Sequence, residues 1–199
     1  CRAAGCAVRW GTYNWRECAD DTVGWSHSGV LKDHEEGGFR VNDRAPRTDR
    51  YTHEFKGFGK HRYHDTDFNW AQGRAVSESD SGEESFPIPD QALDELSMLL
   101  RARCVFATGD KEYSATSVYG DDIREHHFIV IDRETIDTPM GELDTLVVEK
   151  KREEDKEESR RTLFWVAPEV GYMVVKARHI ESALLHGELI MTEYNGPTP

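Results

Sequence analysis

Residues 61–67 read H-R-Y-H-D-T-D, a run whose side chains could hold a metal ion. Imidazole and carboxylate together suit zinc or another divalent cation. On a strand, successive side chains alternate, so His61, Tyr63, Asp65, Asp67 and Asn69 share one face. His64, Thr66, Phe68 and Trp70 share the other. Residues two apart on a strand are separated by about 6.5–7 Å at the backbone. Closing a site around His61, Asp65 and Asp67 therefore needs a ligand from a second strand, and His53 and His127 are the candidates. Such a centre would make the chain a metal-assisted hydrolytic enzyme. The competing reading is a polar strand face turned to water. No G-x-S-x-G, H-E-x-x-H or P-loop pattern occurs, so no catalytic residue is assigned and no cofactor is named. His126 and His127 face opposite ways on a regular strand, and His34, His179 and His186 are isolated.

The second chemistry-bearing set is Cys1, Cys6, Cys18 and Cys104. No C-x-x-C spacing occurs, which removes the usual zinc-knuckle and thioredoxin-like patterns. In an oxidising compartment an even count permits two disulfides, with three possible connectivities. A bridge from the N-terminal segment to Cys104 would pin that segment to the main domain; four free thiols are the alternative. Cys1 is also a candidate lipid-attachment residue, because mature bacterial lipoproteins begin with an acylated Cys. The neighbouring Arg2 is unusual for that role.

The elements that must position these residues are mostly strands. Thr22–Lys32 and Gly38–Asp43 read as short strands about a D-H-E-E-G-G turn, and Arg44–Asp49 as a loop. Arg50–Phe58, Lys60–Trp70 and Ala75–Ser79 continue as strands, with S-D-S-G-E-E as a loop. F-P-I-P-D then suits a helix start, and Leu93, Leu96, Leu99 and Leu100 recur at helical spacing, with Met98 off the stripe. The expected helix covers 89–103. Strands return at 111–119, 123–132, 143–151, 161–166, 172–180 and 184–194. T-P-M-G at 138–141 is a turn signal, and A-P-E-V-G at 167–171 is a corner where Pro168 must end or bulge a strand. The expected organisation is a Cys-rich arm at 1–20, a single antiparallel β domain at 21–194 and a flexible tail at 195–199.

The net charge of −13 on 199 residues repels phosphate, which argues against nucleic-acid partners. Part of that charge sits in the acidic run Glu153–Glu158, read as a solvated hairpin tip. No apolar run approaches the ~20 residues of a membrane helix, so any membrane contact would be through a lipid anchor.

Four stretches resemble the domain of unknown function 3108 family: FNWAQGRA at 68–75, FPIPDQALDELSMLL at 86–100, ETIDTPMGELDTLVVEK at 134–150 and RTLFWVAPEVGYMVVKARH at 161–179. The resemblance covers about two thirds of the chain, and the first 60 residues match poorly. It implies a curved antiparallel sheet or partial barrel with the amphipathic helix packed in its hollow, in a protein exported to the bacterial periplasm, cell envelope or exterior. It implies no reaction. The leading expectation is a non-catalytic envelope protein that binds a protein partner, or an apolar or glycan ligand, in the sheet concavity. Trp70, Leu96, Leu100, Trp165 and Tyr172 are the candidate lining residues. The Cys- and aromatic-rich N-terminal segment would serve assembly into a complex or homo-oligomer.

Overall fold

The structure, a computed structural model, describes residues 6–10, 13–18, 22–27, 32–42, 45–57, 59–151, 160–182 and 185–195. Within these ranges, side chains are described for 34–39 and from 46 onward, except those of 185 and 195. The architecture is mainly β with a helix, as expected; among the described residues the strands form two antiparallel sheets that do not close, rather than one curved sheet. The chain gathers into two compact units: Cys1–Ala7, Thr12–Arg101 and Ala115–Glu125 form the first; Val8–Gly11, Ala102–Ser114 and His126–Pro199 form the second. That division runs through the 21–194 segment rather than at residue 20.

After strand β1 (Cys6–Trp10), the first unit is a meander. Its strands are β2 (Tyr13–Cys18), β3 (Thr22–His27), β4 (Lys32–Asn42), β5 (Ala45–Gly57), β6 (Lys60–Asn69), β7 (Arg74–Ser79) and β8 (Gly82–Pro87). Each pairs antiparallel with the next. Tyr13–Cys18, expected as part of an arm, is thus a strand of this sheet. Two expected breaks are also absent, and a third is shorter than expected. D-H-E-E-G-G lies inside β4, where Gly37 is buried opposite Tyr51, and pairing on both sides outweighs the turn-like composition. Within the expected 44–49 loop, Ala45–Asp49 is the start of β5, with Pro46 next to the hairpin end, where a missing N–H is tolerated. S-D-S-G-E-E turns only at Asp80–Ser81, and β8 begins at Gly82. One face of the meander buries Phe39, Tyr51, Phe68, Ala75 and Phe86.

Helix α1 spans Glu95–Ala107, later than the expected 89–103. Pro89 opens a turn instead, with Ala92 N–H on its carbonyl, and Leu93 forms a parallel bridge to Ser117. The helix starts where Asp94 can cap it: Oδ1 accepts the N–H groups of Leu96 (2.8 Å) and Ser97 (3.0 Å). The Thr48 hydroxyl donates to Asp94 Oδ2 at 2.6 Å, tying the cap to β5. Leu96, Met98 and Leu100 are buried and Leu99 is half-buried, so the covered arc is broader than the stripe and includes Met98.

Strands β9 (Glu112–Tyr119) and β10 (Asp122–Thr138) give their tip, Ala115–Glu125, to the first unit. The second unit continues with β11 (Gly141–Lys151), β12 (Arg161–Ala167), β13 (Met173–Ser182), β14 (Leu185–Ile190) and β15 (Glu193–Asn195). β10 to β14 pair antiparallel in chain order. The core here includes Phe106, Tyr113, Phe128, Val148, Trp165 and Val175. Thr138–Gly141 makes the expected turn. Pro168–Val170 is a single 3₁₀ turn ending in Gly171 at φ 68°, and Tyr172 follows at φ 60°. Arg103 Nε donates to the Gly171 carbonyl at 3.0 Å, which holds this corner.

Candidate functional site

The buried face of the first meander changes character along its strands. Phe68, Ala75 and Phe86 lie in one cross-strand row, and Tyr51, Thr66 and Ser77 in the next. Beyond them, register places Glu35, His53, His64 and Ser79 side by side across β4 to β7. Tyr119, at the end of β9, meets both histidines. Its hydroxyl is 2.7 Å from His53 Nδ1, and its ring lies 5.4 Å from the His53 ring and 5.1 Å from the His64 ring. The Arg124 guanidinium sits over the Tyr119 ring at 4.4 Å. Gly120 closes the turn at φ 62°, and a Cβ there would lie 2.7 Å from His64 Nδ1. Only glycine satisfies both the left-handed backbone and that approach. Burial, and then the neighbouring His53, push the His64 imidazole below its ordinary range. The His53 imidazole and the Tyr119 phenol are in hydrogen-bonding reach and can share a proton, whereas His64 meets Tyr119 through ring contact alone.

Sequence spacing offers His53 only as a distant ligand and singles out neither His64 nor Tyr119. A signal is present nonetheless: His64 alternates with the inward Thr66 and Phe68, and a glycine follows Tyr119 directly.

Within the 61–67 run, His61, Tyr63, Asp65 and Asp67 lie on the outer face of β6. Asp65 is clamped by Arg50, whose Nε donates to Oδ1 at 2.8 Å, and it also accepts from the Tyr63 hydroxyl at 3.2 Å. The Arg50 hydrogen bonds, ahead of the opposing burial, hold its carboxyl below the usual range. His61 lies between Glu54 (3.2 Å) and Asp80 (3.3 Å), while Asp67 is exposed opposite Arg50. In the second unit, His127 approaches Glu112 at 3.6 Å, and His126 is buried against Phe128, as alternation requires. Among the described residues, no group of three or more His, Cys, Asp or Glu side chains is arranged to hold a metal ion.

Of the lining candidates, Leu96 and Leu100 are buried within the first unit. Trp70 is half-buried there, stacked on Phe68, with Arg47 over its ring and its Nε1 donating to the Thr48 carbonyl at 2.6 Å. In the second unit Trp165 is buried, donates Nε1 to Glu134 at 2.7 Å and carries Lys176 and Arg178 over its ring. Tyr172 is half-buried beside the 3₁₀ corner. Cys104 is half-buried on α1; Cys1 lies outside the described residues, as do the side chains of Cys6 and Cys18.

A family model described as a protein of unknown function, DUF3108, matches residues 19–187. The chain belongs to this family. The match to DUF3108 begins at residue 19, well before Phe68, so β3, β4 and β5 lie inside the matched region despite their unusual composition, while β1 and β2 precede it. No curated protein matches the chain. Among solved structures, the chain is similar to a β-barrel-like protein of domain of unknown function DUF1849 from Brucella abortus. That likeness has a TM-score of 0.62 at 8% identity, covers 99% of each chain, and establishes a shared fold alone.

Proposed function

We propose that this DUF3108 chain is a non-catalytic bacterial envelope protein that binds a protein partner. One observation carries this reading. In β10, five consecutive residues, Ile131–Thr135, are exposed, although the segment is paired with β11. The register shift between Val130 and Asp132 leaves Ile131 without an opposite residue, and the side chain is 43% exposed. β9 ends its pairing with β10 near this point, where Val130 N–H meets the Lys111 carbonyl. An exposed strand segment with an apolar residue at a bulge is suited to strand addition by an extended partner segment. The polar outer face of β6 is meanwhile engaged in cross-strand pairs, which supports a binding role over metal-assisted hydrolysis.

Location in the periplasm or cell envelope, and a disulfide at Cys104, belong to the same proposal. A photocrosslinking side chain placed at 131 or 135 in cells tests it. A discrete protein adduct in the envelope fraction, formed at both positions and absent from position 186, supports partner binding. Equal labelling at all three positions, or none, overturns it, as does stoichiometric metal lost on His61→Ala with Asp65→Ala. Co-purifying lipid or glycan without any adduct would instead favour the ligand-binding version.

A further inference from the structure

We propose that His64 is a proton-operated latch that holds the β9–β10 tip closed when neutral and releases it when protonated. Four features of the first unit support this. His64 stands directly opposite His53 on the same sheet face. Its Nδ1 is buried and has no hydrogen-bond partner among the described residues. Gly120 closes against that same nitrogen, so the tip seats on the imidazole itself. Tyr119 packs on both rings and carries Arg124 on its own ring.

Protonation at His64 Nδ1 would place a cation beside His53, in the neighbourhood of Arg124, with a new N–H directed at the turn. The groups that face this position are Glu35 from β4, His53 from β5, Ser79 and Asp80 at the end of β7, Tyr119 from β9, Asp121 in the turn and Arg124 from β10. Asp80 and Asp121 favour the charged imidazole, but burial, His53 and Arg124 oppose it, and the opposition prevails. His53 differs: protonated, it can still donate Nδ1–H to the Tyr119 oxygen. His64 is therefore the sensing residue.

The sign follows from linkage. A histidine whose closed-state proton affinity is depressed supports closure above the ordinary histidine range near ~6.5, and the support is lost as pH falls through the lower closed-state value. If the closed tip binds the proton tenfold more weakly than the open tip, the open fraction rises by up to about tenfold at low pH. Release would free Ile123, already 45% exposed on the tip, together with Tyr119.

Amide-exchange protection of residues 115–125, corrected for intrinsic rates, tests the latch at pH 7.5 and 5.0. The expected result is a several-fold loss of protection in the wild type and none in His64→Phe. Unchanged wild-type protection, or an equal loss in His64→Phe, overturns the proposal. Should His64→Phe misfold, the wild-type His64 Cε1 resonance decides. Titration below the ordinary histidine range, in step with tip exchange, supports the latch, and titration at or above that range overturns it.

Discussion

Asp94 joins two distant parts of the sequence, since the residue that starts α1 also receives the hydroxyl of Thr48, 46 residues earlier. Replacing it with Ala removes three accepted bonds and leaves buried donors unpaired. Asp94→Ala is expected to cost about 2 kcal/mol in urea unfolding. Asp65 makes a prediction of a different kind. Its folded-state proton affinity is lowered, so its bond to Arg50 stabilises the fold above the usual aspartate value near ~4. That contribution is lost as pH falls through the lower folded value. Arg50 is 59% exposed, so solvent screening limits the effect to about 1 kcal/mol or less. Comparing Asp65→Asn with wild type between pH 2 and 6 should show the variant lacking this part of the acid destabilisation. At this scale the sequence was readable where alternation alone decided: the split of 61–69 between two faces was correct. It was not readable where partners come from afar, because nothing near Asp65 announces Arg50 and nothing near His64 announces Tyr119.

Elements bounded by Pro and Gly were legible, and elements made of polar residues were not. T-P-M-G and A-P-E-V-G each fall at a strand connection, because their backbone restrictions act locally. D-H-E-E-G-G and S-D-S-G-E-E have turn-like compositions, yet most of their residues lie in strands because neighbouring strands supply pairing that local preference cannot register. The helix was legible in kind but displaced in range, since the Leu93 bridge to Ser117 takes up residues that would otherwise extend it. The 3₁₀ corner supports a prediction of its own. A Cβ on Gly171 would lie 3.2 Å from Arg103 Nη2 at a left-handed φ. Gly171→Ala should therefore cost about 1–2 kcal/mol in denaturant unfolding, without changing the denaturant slope.

For the molecule as a whole, the family and the mainly antiparallel β fold with one helix were accessible from four short stretches, whereas the separation into two sheets and two compact units was not. That division depends on which ends of the β9–β10 hairpin and of α1 pack where, and periodicity carries no such information. The four cysteines give the prediction at this scale. Peptide mapping without reductant is expected to find no free thiol, and reduction should lower the stability by about 2–4 kcal/mol. Four free thiols would remove the argument for an oxidising compartment. The terminal strand of the first meander has a separate consequence. β8 carries Glu83 and Glu84 exposed along its length and ends in Pro87. A second chain adding itself there would stack like charges and meet a residue with no amide hydrogen to offer. Crowding this protein to high concentration should accordingly leave that border unused as a template for fibre growth.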